Sequence, residues 1–294
     1  MNNKVSIIIP ARNEIATSGG VNVLQKTVRG IYEKATGDFE VLVGFDGPEY
    51  QEFPPFPNLK VTKFPEVVGI KGVINALSSM AKGKYLLKTD AHCSFGKGFD
   101  DILQANMKDN WIVMPRFYVL NGENWEWQQR NGKPEFYDYF YLSCPFTDPR
   151  GFRFKAGGHW KERTEEVGHQ SIDETPQIHG SCWFMTRDRY FELGGFPNKD
   201  PHGHAQEPIW LALNNQLEGG EVVVNKRTWY AHMHQQGNKR GYHMDRDQEN
   251  KSYDLAAKTF MRDPRMMFWL EKWAPVMPTW PDDWRERYQQ WLQR

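Results

Sequence analysis

Three short apolar runs, each stopped by a polar turn, constrain this chain more than any other feature. VSIII stops at Pro10, EVLVGF at Asp46-Gly47-Pro48, and YLLK at Thr89-Asp90-Ala91-His92. Runs of this length, rich in β-branched residues and bounded by Gly, Pro and Asp, read as buried strands: Val5 to Ile9, Glu40 to Phe45 and Tyr85 to Lys88, with another at Leu59 to Phe64. Helical spacing lies between them. Val28, Ile31 and Tyr32 mark a helix over 24–34 that Gly37 is placed to end, and a second helix covers 73–81. The resulting order predicts an α/β fold, an open and mostly parallel sheet with helices on its faces. In such sheets ligands bind beyond the carboxyl ends of the strands. The segments 10–14, Asp46 and Asp90 all fall there, so three loops are expected to meet at one crevice.

The third loop carries the chemistry. Asp90 and His92, two residues apart on an extended segment, point to the same side. A carboxylate and an imidazole so placed suit a divalent cation that also holds a phosphate; the oxygen ligand favours Mg2+ or Mn2+, and the imidazole tilts the choice toward Mn2+. The ordinary reading of a three-residue motif is a turn aspartate followed by a loop histidine. Its context decides between the two.

Composition excludes more than it identifies. Lys+Arg and Asp+Glu both number 37 in 294 residues, so net charge gives no evidence for a polyanionic partner. Cys93, Cys144 and Cys182 are too few and too scattered for a disulfide framework or a four-cysteine zinc site, which makes a reducing compartment the simpler assumption. No run approaches the roughly 18 apolar residues of a membrane span, and the apolar run before Pro10 is too short for a signal-peptide core. The 12 Trp, 12 Tyr and 18 Phe are read first as packing.

VSIIIPARNE, VLVGFDGP and GKYLLKTDAHCSF, in this order, resemble the nucleotide-binding half of GT-A fold glycosyltransferases of the family 2 type. DAHC, HGSCWFMTRDRYFELGGF, EPIWLALNNQLEGGEVVV and YAHMH are more closely similar to polypeptide N-acetylgalactosaminyltransferase catalytic domains. The resemblance covers about Lys4 to His234 and implies a UDP-sugar donor, a hydroxyl acceptor and Mn2+, with Mg2+ as the alternative ion. Residue by residue, it places Asp46 against the uridine, Pro10, Arg12 and Glu14 on the opposite wall, and Lys71 and Asn75 at the nucleotide. It makes Asp90 and His92 metal ligands with His232 as the distal third, His234 being its competitor. Trp183 would lie beside the sugar crevice, His204 in a loop (200–206) that closes over the donor, and Glu207 beside acceptor and donor sugar. Family 2 inverting enzymes commonly carry an aspartate just after that glutamate. Here the position is Pro208, which favours retention and leaves Glu207 as a base still open.

Elsewhere the chain says less. An Asn131-Gly132 hairpin, an aromatic acceptor platform with a mobile loop over 150–175, and a polar loop over 235–250 are expected. A catalytic domain over 1–240 would then be followed by a helical extension over 241–294, read as helices at 255–261, 266–273 and 280–291. The acceptor is not written in the sequence: a glycan, a protein, a small molecule, or a hydroxymethylated DNA base of a phage-type system, the last suggested by basic residues at 150–163 and 226–246. The resemblance and the missing anchor together favour a cytoplasmic bacterial or phage enzyme. The competing classes are a metal-dependent nucleotidyltransferase or hydrolase, and a non-catalytic sugar- or nucleotide-binding module.

Overall fold

The structure, a computed structural model, describes residues 3–155, 158–197, 206–234, 241–242 and 245–293. The first part alternates strands and helices: β1 (Val5–Ala11), β2 (Thr17–Ser18), β3 (Val21–Asn22), α1 (Val23–Lys34), β4 (Phe39–Asp46), β5 (Leu59–Phe64), α2 (Gly69–Met80), β6 (Tyr85–Thr89), β7 (Cys93–Phe95) and α3 (Phe99–Ala105). A middle part of mostly short strands follows, with β8 (Trp111–Val119), β9 (Gln129–Arg130), β10 (Lys133–Pro134), β11 (Phe136–Tyr137), β12 (Phe140–Tyr141), β13 (Gly158–His159), α4 (Lys161–Val167) and β14 (Ile172–Glu174). The last part holds β15 (Cys182–Thr186), α5 (Arg187–Glu192), α6 (Glu207–Leu217), β16 (Glu221–His232), α7 (Arg246–Met261), α8 (Met266–Trp273) and α9 (Trp284–Leu292).

The main sheet runs β14-β16-β8-β15-β6-β1-β4-β5, with β11 beside β8 and β7 beside β16. β6, β1, β4 and β5 are parallel throughout, as are β8 and β16, while β15 lies antiparallel to both of its neighbours. This is the GT-A type of α/β sheet, covered by helices. β1 runs on through Pro10 although proline cannot donate to a ladder. The register explains the tolerance: β6 pairs with β1 only as far as Ile8, so Pro10 has a sheet neighbour on one side alone, at Gly44. Gly44 lies under α2, where a Cβ would stand 2.6 Å from Val73 Cγ1.

One helix start and one expected helix terminator differ from what the sequence predicts, and at both a distant carboxylate takes the backbone N–H groups. α2 begins at Gly69 rather than 73, because Asp46 Oδ1, at the end of β4, accepts from Val68 N (2.7 Å) and Gly69 N (3.2 Å) and caps the helix from a distant strand. α1 ends at Lys34 as predicted, but Gly37 is not what ends it: Ala35 is the cap, its N–H donating to Ile31 O (2.8 Å). Gly37 instead turns beside α3, where buried Asp100 accepts from Thr36 N (3.0 Å) and Gly37 N (2.8 Å). The Asn131-Gly132 hairpin forms as expected between β9 and β10, with φ of 52° and 72° at the two turn residues.

The 150–175 segment is not a plain loop. It contains α4, and its Arg153, 4% exposed, is tied to Asp148 and to Asn250 of α7. The sequence placed the first C-terminal helix at 255–261; α7 starts at Arg246, where Asp245 accepts from Asp247 N (2.9 Å) and Gln248 N (3.3 Å). α7 to α9 bury Phe260, Met261, Trp269, Leu270, Trp273, Trp284 and Tyr288 in the same apolar core as the sheet.

Asp100→Ala leaves two backbone N–H groups without their acceptor, a loss of about 1–3 kcal/mol. Urea denaturation will show a lower midpoint with an unchanged slope; an unmoved midpoint would contradict this role of the carboxylate.

Candidate active site

The DxH segment is a turn between β6 and β7 rather than an extended strand, so strand alternation is not what brings its side chains together. Tertiary hydrogen bonds do that. Thr27 of α1 is fully buried; its hydroxyl donates to Ala91 O (3.1 Å) and accepts from Cys93 N (2.9 Å), while Asp90 N donates to Ser181 O (2.8 Å). β16 pairs with β7 through His232 and Cys93, which places His232 over the turn. Asp90, His92 and His232 each offer a ligand atom, all within 4.8 Å of one another. His234, the alternative third ligand, lies outside this group, its ring centroid 4.8 Å from that of His232.

The group fits a divalent cation on its own chemistry. His232 is 7% exposed, and neither of its ring nitrogens makes a hydrogen bond among the described residues; Nε2 lies 3.3 Å from Asp90 Oδ2. Burial outweighs the Asp90 charge and pushes the His232 pKa down to about 3, so the imidazole is neutral near pH 7. Burial also opposes the Asp90 carboxylate, but Lys88 and then His232 outweigh it and hold its pKa well below the usual range. An anionic carboxylate and a neutral imidazole are the forms that bind metal. Glu14 Oε2 stands 3.3 Å from His92 Nδ1, so a residue expected on the nucleotide wall lies beside the Asp90, His92 and His232 group.

Lys88 is the residue sequence reading missed. It is fully buried in β6, and its Nζ donates to Asp90 Oδ1 (2.5 Å) and Gly180 O (2.6 Å). Burial disfavours the ammonium, yet Asp90 and Glu207 raise its pKa above the ordinary value. Glu207, 8% exposed, opens α6 after Gln206 in a left-handed conformation (φ 71°). A Cβ on Gly180 would lie 3.0 Å from Glu207 Oε1, so any larger residue would make that carboxylate shift by a few tenths of an ångström. Lys88 thus joins the metal group to the expected acceptor glutamate. The signal was present in the sequence, a lysine inside an apolar strand and two residues before Asp90. His179 was missed as well: its Nδ1 is 2.6 Å from Ser181 Oγ, its ring stacks on Phe117, and burial followed by His232 keeps its pKa well below normal.

Other predicted contacts find different employment. Asn75 is used inside the fold: its amide accepts from Tyr190 Oη (2.6 Å) and Phe196 N (3.0 Å) and donates to Phe196 O (3.0 Å), fastening α2 to the turn after α5. Trp183 is 0% exposed, pairs across from Lys88 and stacks on Tyr190, so it forms the packed backing of the crevice rather than its surface. Asp46 and Lys71 are both buried at the start of α2, with Asp46 as its cap. Pro10 is buried in β1, and the Arg12 guanidinium lies 4.7 Å from the Tyr242 ring centroid. His204 lies outside the described residues.

The family model of glycosyl transferase family 2 matches residues 6–188, more than half of the chain, and the chain belongs to that family. Among curated proteins none matches it. Among solved structures it is similar to the crystal structure of GalNAc-T7 with UDP, GalNAc and Mn2+, at a TM-score of 0.68 and 16% identity over 99% of this chain and 56% of that one. It is also similar to S. aureus TarS 1-349 in complex with UDP-GlcNAc, at 0.54 and 13% identity over 88% of this chain and 67% of that one. At such identities the likeness is one of fold. This chain spans little more than half the length of the GalNAc-T7 structure.

Lys88→Met removes a buried cation and leaves Asp90 beside Glu207 without compensation, which should cost about 3–5 kcal/mol as for other broken buried pairs. Equilibrium unfolding that matches the unmodified protein would refute this. A second prediction concerns His159, which stacks on Tyr137 with ring centroids 3.5 Å apart and whose pKa burial, followed by His234 and Lys161, lowers to about 4. Because the unfolded value is about 6.5, the unfolded chain binds more protons between these two values. Stability is therefore full above about pH 6.5 and falls as the pH drops toward 4. His159→Phe keeps the stack and removes the proton, so the fall in melting temperature over that window should be shallower than in the parent protein.

Proposed function

We propose that the chain transfers a sugar from a UDP-sugar to a hydroxyl acceptor with a divalent cation held by Asp90, His92 and His232, Mn2+ before Mg2+. The observation that carries this reading is the buried, unbonded His232 imidazole beside an ionised Asp90 at the carboxyl end of β6, with Glu207 reached through Lys88. When bound, such a cation offsets the charge that grows on the departing diphosphate, a Lewis-acid effect worth several kcal/mol. The chain's own residues do the rest. Lys88 fixes Asp90 and sets a positive charge between it and Glu207, and Glu14 lies beside His92. Pro10, Arg12 and the Asp46 turn line the strand ends where a nucleotide would lie. N-Acetylhexosamine donors are the first to try, since the GalNAc-T7 and TarS structures were solved with GalNAc and UDP-GlcNAc.

Glu207 faces the reaction with no second carboxylate after it, because Pro208 takes that position as the helix opens. This supports retention, with the acceptor hydroxyl attacking from the side the nucleotide leaves. The acceptor is a hydroxyl compound, and part of the basic character behind the DNA alternative is used within the fold. Arg150 and Arg153 pair with Asp148, Arg163 pairs with Asp173, and Lys226 is bonded to Tyr139 and Val167, whereas Lys155, Lys161, Arg227 and Arg246 are exposed.

Calorimetric titration with UDP, UDP-GalNAc and UDP-GlcNAc, first with Mn2+ and then with chelator, tests the reading. Metal-dependent binding of a UDP-sugar is expected, with at least a tenfold loss in Asp90→Ala. An absence of nucleotide binding in either condition would instead favour a binding module for another ligand. The anomeric configuration of the product, read by NMR, tests retention.

A further inference from the structure

A second cavity lies on the other face of β16. Along this strand and its continuation Tyr230 and His232 point toward the core and the metal group, while Trp229, Ala231 and Met233 point to a small separate cluster with Val23 and Leu120. Above that cluster opens a cavity of about 610 Å3, inside the roughly 300–1,000 Å3 of small-molecule sites. Trp125, Trp127 and Trp229 line it together with polar residues, Asn121, Asn124, Gln128, Gln129, Ser94 and Glu126, some of them bonded to one another, as Asn124 Nδ2 is to Glu126 Oε2 (3.2 Å).

Two separate departures from regular backbone bring these indoles together. Trp125 has φ +63°, a left-handed conformation that a bulky side chain rarely adopts. The loop enforces it: Trp125 N donates to Asn121 O (3.0 Å), Asn121 N to Glu126 O (2.8 Å), and Glu126 N to Asn124 Oδ1 (3.2 Å). Trp229 follows a break in the β16–β8 register after Asn225, and such irregularities re-aim side chains. Trp127 is fixed in turn, stacked on Tyr118 at 4.1 Å with Trp229 edge-on at 4.9 Å. Gly96 lets Trp229 settle, since a Cβ there would stand 2.9 Å from its Nε1. Strained backbone held in place by its surroundings concentrates at binding sites.

We infer that this cavity binds a neutral saccharide. The ring C–H groups of a pyranose carry partial positive charge and suit the electron-rich faces of indoles. Its hydroxyls suit carboxamides, which both donate and accept. Among the lining residues a carboxylate is present and lysine and arginine are not, and Lys26, whose Nζ lies 5.2 Å from the Trp125 ring centroid, is bonded to Ser18 Oγ (3.0 Å), which disfavours phosphates, nucleotides and nucleic acid. The four amides, the hydroxyl and the carboxylate make the site too polar for a lipid chain. The site lies across the strand from Asp90, His92 and His232, and the inference does not depend on the transfer reaction.

The test uses Asp90→Ala protein, in which the donor site is disabled. Calorimetry and tryptophan fluorescence are followed while it is titrated with mono-, di- and trisaccharides of glucose, galactose, N-acetylglucosamine and N-acetylgalactosamine. Saturable binding of at least one, with a change in tryptophan emission, is expected. Trp125→Gly suits the left-handed position, so that variant should fold, retain UDP binding in an otherwise unmodified background, and lose at least tenfold in saccharide affinity; Trp229→Ala should lose it too. No saturable binding across the panel, or unchanged affinity in Trp125→Gly, would overturn the proposal. Failure of UDP-sugar binding in the unmodified protein would bear on the transfer reaction alone.

Discussion

A buried ammonium cannot stand alone in an apolar sheet, and the arrangement around Lys88 follows from that constraint. Its charge requires an acceptor on each side, and it finds them in Asp90, on its own chain two residues later, and in Gly180 O, at the approach to β15. Glu207 adds a second negative charge from the opening of α6. One side chain therefore unites a central parallel strand, the antiparallel strand beside it and a helix from the last third of the chain. Removing either partner of such a pair is strongly destabilising in general, so the fold and the ionisation state of the candidate site rest on the same contact.

The electrostatics around it divide the work among similar groups. Asp90 stays anionic because Lys88 and His232 outweigh its burial, whereas His232 stays neutral because burial outweighs Asp90. His179 is held neutral by burial and by the imidazoles near it. A site assembled this way presents an anionic carboxylate and, at His232, an uncharged ring to a cation without first shedding a proton there.

The strands that carry the crevice were legible because their signals are local. β5 and α8 fall where their patterns put them, and β1, β4 and β6 differ by one or two residues at their ends. What escaped was set by distant partners. Nothing near residue 69 announces the start of α2, because its cap is Asp46; nothing near Gly37 shows that its neighbour is Asp100. Asp90 and His92 were rightly paired, but a turn clamped by Thr27 unites them, not strand alternation. Asn75 and Trp183 sit where the family resemblance suggested ligand contacts, yet burial and internal bonding give them packing duties, which a position in a motif cannot reveal. The aromatic run near Trp125 reads as an acceptor platform, but its left-handed backbone has no signature in residue type.

The remote capping of α2, and the remote carboxylate that closes the turn after α1, also bear on the order of folding. Neither the start of α2 nor the turn after α1 can be completed by its own neighbours in sequence, since Asp46 lies 22 residues from Val68 and Asp100 lies 64 from Thr36. Contacts of such separation incur loop-closure entropy before they stabilise anything. A fragment containing α2 alone would therefore fray at its start, and the turn after α1 takes its final form only once α3 has docked.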